Sequence, residues 1–241
     1  MSSEQLTLNV NLKEGLRFNS FYAEANNSNA ELVTILQNFV NSNEAQQNII
    51  WGENLSGKTH LLQACCAKQA EINQSVSYIP LKILSIHGDQ VLQGLTHSSL
   101  IVIDDVDYVI GDKAWETALF NLINQIRDNK QRLLMSTNDN PRLLDCILPD
   151  LASRLIWGGS FQLKILNDDD KPKALRTKAK QRGFELNDRV IEYLFRHYPR
   201  DISSLMDLLD KLDKESLTQK TKITVPFVKQ VIEMAQDINK H

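Results

Sequence analysis

The sequence predicts an α/β fold: a parallel sheet flanked by helices and carrying a phosphate-binding loop, followed by a small all-helical domain. Three observations predict it. Gly52-Glu53-Asn54-Leu55-Ser56-Gly57-Lys58-Thr59 fits G-x-x-x-x-G-K-[ST] and lies between a short apolar run and a helix-like run. Leu100-Ile101-Val102-Ile103-Asp104 is a continuous apolar run ending in acid, the pattern of a strand buried on both faces of a parallel sheet. From Asn167 onward strand character fades and helical periodicity takes over.

The elements follow in order. Residues 1–17 carry Leu6, Leu8, Val10 and Leu12 in alternation with polar residues, as an edge strand would. Asn26 to Asn29 reads as a turn that caps a helix, with Leu32, Leu36, Phe39 and Val40 at helical spacing. Ile49-Ile50-Trp51 is a strand, and His60 to Glu71 is the helix after the glycine loop. Val76 to Pro80 reads as a second strand and Leu100 to Asp104 as a third. A helix fits residues 112–129, with Trp115, Leu119, Leu122, Ile123 and Ile126 on one face. Leu133 to Ser136 is another buried strand, a short helix ends near Leu155, and Phe161 to Ile165 is the last strand. Helices are then expected at about 168–182, 187–197, 201–217 and 225–238, with Gly183 stopping the first and Pro226 near the start of the last. Asp168-Asp169-Asp170 suits a helix N-terminus, where the dipole favours negative charge. The expected domains are an extension over 1–17, a nucleotide-binding domain over 18–166 and a helical domain over 167–241.

Composition narrows the class. A chain of 241 residues can bury one large domain, or a medium one with a small one. Its 42% apolar and 24% charged content is that of a globular protein, and a net charge of −3 gives no global pull on nucleic acid. A small basic face from Arg127, Lys130 and Arg132 is the one local exception. The spacing of Cys65, Cys66 and Cys146 fits no zinc pattern, so they read as core residues in a reducing compartment. Neither a membrane-spanning run nor a signal-peptide pattern is visible, which points to a cytoplasmic location.

The chemistry gathers at strand ends. Backbone N–H groups of the Gly52–Thr59 loop and the following helix N-terminus aim at a polyphosphate; Lys58 adds positive charge, and the Thr59 hydroxyl can ligand Mg²⁺. These features predict a bound purine nucleotide. A carboxylate at the C-terminal end of a central strand lies beside such a loop, so Asp104 can hold Mg²⁺ through water, and Asp105 can orient an attacking water. Asp105 is one methylene shorter than the Glu that many ATPases carry there. Both also fit a solvated strand end. At the end of the next strand, in Thr137-Asn138-Asp139-Asn140-Pro141, Asn138 is the polar residue expected near a γ-phosphate or the water, although Asn and Pro also simply close turns.

With these residues assembled, the chain resembles the AAA+ ATPases, and among them the DnaA replication-initiator branch with its regulatory inactivators. The order carries the likeness: the glycine loop, the acidic strand end, Ser136 to Asn138, the box Leu148-Pro149-Asp150-Leu151-Ala152-Ser153-Arg154-Leu155 with Trp157-Gly158, then Arg182-Gly183-Phe184-Glu185-Leu186, Arg200 and Thr224-Val225-Pro226-Phe227-Val228-Lys229. The resemblance covers nearly the whole chain. It implies an AAA+ P-loop NTPase domain followed by a helical lid.

Residue by residue, the resemblance implies that Gly52, Gly57, Lys58 and Thr59 hold nucleotide, ADP or ATP, and that Thr59 and Asp104 support Mg²⁺. Asn138 takes the first sensor position, where initiators usually carry Asp. Arg154 matches an arginine finger acting in trans, and Arg200 matches the second sensor, reaching from the lid to its own nucleotide. Phe18 and Phe21 match a segment near adenine, while also reading as core aromatics. Gln5-Leu6-Thr7-Leu8-Asn9 resembles the peptide by which inactivators bind the DNA polymerase sliding clamp, with Gln5, Leu6 and Leu8 as contacts. Initiators continue into a helix-turn-helix DNA-binding domain, whereas this sequence ends at His241, so little or no direct DNA binding is expected.

The resemblance thus implies a negative regulator of replication initiation. It would bind nucleotide and the clamp and promote hydrolysis of ATP on DnaA, with no membrane partner and with homo-oligomerisation left open. It would be a stimulator rather than an efficient ATPase. The alternative is an autonomous ATPase acting as a helicase loader or remodeller; a nucleotide-stabilised scaffold is the third reading.

Overall fold

A computed structural model describes residues 16–23 and 27–238 of the chain. The alternating segment with Gln5, Leu6 and Leu8 lies outside the described residues. The described residues up to Ile165 form one compact unit and those from Leu166 a second.

The first unit is built on a five-stranded sheet, β1 (Gln47–Trp51), β2 (Val76–Pro80), β3 (Leu100–Asp104), β4 (Arg132–Thr137) and β5 (Gly159–Gln162), in the order β2-β3-β4-β1-β5. Every pairing is parallel. Helix α1 (Ser28–Asn41) precedes β1, and α2 (Lys58–Glu71), the short α3 (Leu81–Leu84), α4 (Lys113–Asp128) and α5 (Pro149–Leu155) connect the strands. Side chains alternate across a strand, and the two faces feed two cores. Ile49, Ile101, Ile103, Leu133 and Met135 pack with the apolar stripe of α4 and with Leu151 and Leu155 of α5. Ile50, Leu100, Val102 and Leu134 pack with Leu32, Leu36 and Phe39 of α1 and with Leu61, Leu62, Cys65 and Cys66 of α2. Burial on both sides is why β3 reads as unbroken hydrophobicity. The cysteines are free, and Cys65 and Cys66 are core residues as expected. Burial pushes the Cys66 thiol up to about 12, so it stays protonated and inert.

Local signals set the helix ends. Asn27 accepts from Ala30 N–H at 2.9 Å and starts α1. The Asp112 carboxylate accepts from Ala114 and Trp115 N–H at 2.8 and 3.3 Å and starts α4. The last strand departs from expectation. It runs Gly159–Gln162 rather than 161–165, because its only partner among the described residues, β1, gives way to the glycine loop at Gly52; one further bond, Leu163 N–H to Trp51 O at 2.8 Å, closes the pairing.

Arg132 also departs from expectation. It belongs to no basic face: it is 4% exposed, and its guanidinium donates to Phe39 O at 3.2 Å, Val40 O at 2.6 Å and Gln74 Oε1 at 2.9 Å. The unpaired carbonyls at the C-terminal end of α1 need donors, and Arg132 supplies them.

The second unit consists of α6 (Lys171–Gln181), α7 (Asp188–His197), α8 (Ile202–Gln219) and α9 (Val225–Ile238) around a core that includes Leu175, Leu194, Leu208, Leu209, Leu212 and Val228. Asn187 caps α7 through Val190 N–H and Asp201 caps α8 through Ser204 N–H, at 2.9 and 2.8 Å. α6 ends as the chain turns at Gly183. The acidic run acts differently from a simple cap. Asp170 occupies the cap position without a side-chain cap bond and pairs with Lys173 at 2.8 Å, Asp168 pairs with Lys171, and Asn167 Oδ1 takes the Asp170 N–H. Among the described residues, no helix is long and apolar enough to cross a membrane.

Candidate functional site

The glycine loop leaves the C-terminal end of β1, next to the ends of β4 and β3. This edge, where strand order reverses, is the usual ligand crevice of an open parallel sheet. Gly52 donates its N–H to Thr137 O at 3.3 Å. A Cβ here would overlap the Leu163 carbonyl, so only glycine lets the loop start this close to the sheet. Gly57 sits at φ 103 immediately before α2, and a Cβ there would stand 2.8 Å from the Phe21 ring. Leu55 also holds a positive φ, 66°, which is uncommon for a bulky residue and frequent where a backbone is shaped for a ligand.

Lys58 opens α2 and is 5% exposed. Its ammonium donates to Gly52 O at 2.7 Å, Glu53 O at 3.0 Å and Asn138 Oδ1 at 3.0 Å. Burial lowers its pKa, while Asp105, Asp107, Asp104 and Asp139 oppose that shift. No backbone carbonyl of the described residues accepts from the N–H groups of Gly57, Lys58 or Thr59. The Ser56 hydroxyl is buried without a partner. Open N–H groups, an ammonium and an orphan hydroxyl on one concave turn suit an anion with several oxygens.

Asp104 ends β3 inside a ring of hydroxyls. Thr59 Oγ1 and Tyr78 Oη each donate to its Oδ2 at 2.8 Å, and Ser136 Oγ donates to its Oδ1. Burial and the neighbouring Asp104 charge push the Tyr78 phenol up, keeping it a donor. Thr59 and Asp104 are hard oxygen groups held together, as a Mg²⁺ ion shared with phosphates requires. Among the described residues, no cluster of three or more His, Cys, Asp or Glu could hold a metal by itself.

Asp105 adopts a left-handed conformation, φ 57 and ψ 52, and gives its N–H to Ser136 Oγ at 2.9 Å. Burial, then the Asp104 and Asp107 charges, raise its pKa. The turn it makes starts the 3-10 segment Val106–Val109, which carries Asp107 to the end of β4. There Asp107 accepts twice from Asn138: from its backbone N–H at 3.1 Å and from its side-chain NH₂ at 2.7 Å. One N–H of the Asn138 amide is thus directed at Asp107, and its carbonyl oxygen is turned toward Lys58.

Phe18 and Phe21 pack beside the α1–α2 core cluster, with Phe21 edge-on to His60 at 5.3 Å and against Gly57. They therefore combine core packing with a position next to the loop. Arg154 sits in the last turn of α5, partly exposed. Its guanidinium carbon is 5.8 Å from the Phe120 ring centroid and 6.0 Å from that of Trp157, and its Nε is buried with no acceptor. No described carboxylate neutralises it. Arg127 lies 4.6 Å over the same Trp157 ring, which is 55% exposed. Gln47 Nε2 pins the end of α5 through Arg154 O at 2.6 Å. In the second unit, Arg200 donates Nε–H to Phe195 O at 2.8 Å.

The loop, Asp104, Asp105 and Asn138 are thus gathered at one sheet edge. Sequence reading missed Asp107, Tyr78 and Ser136 as side chains that hold this edge together. Asp107 stands only three residues past Asp104, but nothing in linear spacing announces that a 3-10 turn aims it at Asn138.

A parallel sheet with this loop and an acid at the end of β3 defines a P-loop nucleotide-binding domain of the AAA+ class. Residues 12–162 match the family model for the bacterial DnaA ATPase domain, and residues 168–232 match the model for the Hda lid domain. The chain belongs to the bacterial DnaA ATPase-domain family, with a C-terminal segment of the Hda lid type. Solved structures agree on the fold. Domain III of the Thermotoga maritima replication initiation protein DnaA aligns at 20% identity and TM-score 0.74, over 92% of this chain and 98% of that one. AMPPCP-bound DnaA from Aquifex aeolicus aligns at 20% identity and TM-score 0.69, over 83% of this chain and 65% of that one. The Thermotoga maritima RuvB Holliday junction branch migration motor aligns at 17% identity and TM-score 0.61, over 90% and 73%.

Proposed function

We propose that this protein is a negative regulator of replication initiation. It docks on the ATP-bound initiator DnaA and supplies Arg154 to the initiator's active site. The observation that carries this reading is the state of Arg154: a partly exposed guanidinium, held on Phe120 and Trp157, with no carboxylate among the described residues to satisfy it. Such a group suits charge that develops on a phosphoryl group in another molecule. The match to an Hda-type lid supports the same reading.

Its own loop would bind ADP or ATP through Gly52, Gly57, Lys58 and Thr59, with Thr59 and Asp104 holding Mg²⁺, which neutralises phosphate charge. Phe18 and Phe21 would lie toward the base, and Arg200 would serve the same nucleotide from the lid. The similar DnaA structures that hold AMPPCP support a nucleotide ligand. Bound only to the folded form, it would stabilise the chain. Gln5, Leu6 and Leu8 would attach the protein to the sliding clamp, giving access to DnaA in the cytoplasm. Asp105 and Asn138 would shape any residual turnover.

The test is a reconstituted assay of ATP hydrolysis by DnaA with DNA-loaded clamp. Arg154→Ala is expected to keep clamp and nucleotide binding and lose stimulation, by roughly a thousandfold or more if the guanidinium acts as a finger. Undiminished stimulation sinks the reading. Replacing Leu6 and Leu8 by Ala should abolish clamp pull-down at an unchanged melting temperature.

An autonomous ATPase, such as a helicase loader or remodeller, is favoured by one observation: the Thr59–Asp104 pair is intact at 2.8 Å. Turnover by the purified chain alone separates the two. Fast solo turnover supports the loader; activity only in the mixture supports the regulator.

A further inference from the structure

We propose that Asp107 is a positioning residue that withholds Asn138 from a γ-phosphate, so that this site does not select a triphosphate over a diphosphate through its strand-end amide. The inference rests on the loop being a nucleotide site. It is carried by the two neighbours of one side chain.

An amide side chain has a donor end and an acceptor end, and its two neighbours decide which way each end points. A carboxylate can only accept, so the end of Asn138 facing Asp107, at 2.7 Å, must be NH₂. An ammonium can only donate, so the end facing Lys58, at 3.0 Å, must be the carbonyl oxygen. A flip of the amide would set NH₂ against NH₃⁺ and oxygen against carboxylate, losing both bonds at once. The Asn138 backbone N–H, at 3.1 Å from the other Asp107 oxygen, makes the grip two-pronged.

The consequence follows from polarity. A residue that senses a γ-phosphate must offer it a donor. Asp107 takes one of the two amide N–H bonds and turns the NH₂ end away from Lys58, so Asn138 presents its carbonyl oxygen on that side, which favours the ammonium and disfavours added negative charge. Even when Lys58 turns toward phosphates, Asp107 still demands the NH₂. The left-handed turn at Asp105 holds Asp107 in place, so the lock is part of the fold.

The experiment is titration of the full chain with ADP and with the β,γ-methylene analogue of ATP, each with Mg²⁺, read by calorimetry. The unmodified chain is expected to bind ADP at least as tightly as the analogue. Asp107→Ala frees the amide and should shift the affinity ratio toward the analogue by about fivefold or more, the scale of one charge-assisted hydrogen bond. Asp107→Leu serves if the Ala variant does not fold, because leucine accepts no hydrogen bond.

Removing a carboxylate also lowers local negative charge, so the decisive comparison is made in an Asn138→Ala background. There the same Asp107 substitution should leave the ratio unchanged. An equal shift in that background, or no shift in the single variant, overturns the proposal. If the unmodified chain binds neither nucleotide, the nucleotide-site reading itself fails and the inference falls with it; binding with an unmoved ratio overturns only the inference.

Discussion

The carboxylate of Glu116 accepts the backbone N–H of Leu148 at 2.6 Å, tying the buried face of α4 to the cap of α5, the helix that carries Arg154. The same group accepts from Ile147 at 3.0 Å and Gly111 at 2.8 Å and is fully buried. Three N–H donors meet the charge, which is what makes a buried carboxylate tolerable. Glu116→Gln keeps the volume but turns an NH₂ toward donors. It should destabilise the first unit by about 2–3 kcal/mol, as for a lost hydrogen bond to a charged group, read as a lower urea midpoint. An unmoved midpoint would show that α5 is positioned without it.

Asp105 predicts a pH dependence. Burial and the Asp104 and Asp107 charges raise its folded pKa, so the folded state holds its proton more tightly than the unfolded chain. That preference is fully present below the unfolded value, about 3.9, and is lost as pH rises through the folded pKa. At neutral pH the ionised Asp105 therefore works against folding. Asp105→Asn, which tolerates the left-handed backbone, should raise the melting temperature at pH 7, and the gain should shrink toward pH 4. A gain of constant size across that range would contradict the assignment.

Arg132 is a buried fork, not part of a basic surface. Lysine cannot reproduce a planar guanidinium that reaches Phe39 O, Val40 O and Gln74 together. Arg132→Lys is expected to destabilise the protein by about 2 kcal/mol, the scale of a lost charged hydrogen bond. Affinity for DNA, measured by filter binding, should not change; a drop in DNA affinity at unaltered stability would restore the surface role.

Gly57 joins the loop to α2 at φ 103 beside Phe21. Gly57→Ala introduces strain of roughly 1–2 kcal/mol from the left-handed backbone and pushes the ring. The apo protein should melt a few degrees lower. The thermal shift produced by saturating ADP, worth about 2.7 kcal/mol at a hundredfold excess over Kd, should vanish. Retention of the full ADP shift would mean that the loop backbone does not cradle the phosphates.

Much of this was legible beforehand, and the physical reason is locality. The G-x-x-x-x-G-K-[ST] spacing marks the loop because its geometry is set by adjacent residues. The apolar run to Asp104 marks β3 because both its faces are buried. The helical stripe from Trp115 to Ile126 is buried as its period requires, and the helices of the second unit fall within a few residues of expectation. β5 slipped because a strand's length depends on its neighbour, and β1 ends at Gly52.

The amino-acid order by itself determined which segments become strands and helices, where the phosphate loop lies, and to which family the chain belongs. Only the tertiary structure decided how the polar groups are paired. It buried Arg132 at the end of a helix remote in sequence, set Tyr78 of β2 and Ser136 of β4 on the Asp104 carboxylate, and fixed the Asn138 amide between an acceptor and a donor. Backbone propensity and side-chain period act over a few residues. A hydrogen bond joins whichever groups the sheet register and the turns bring within about 3 Å, and no linear spacing encodes that meeting.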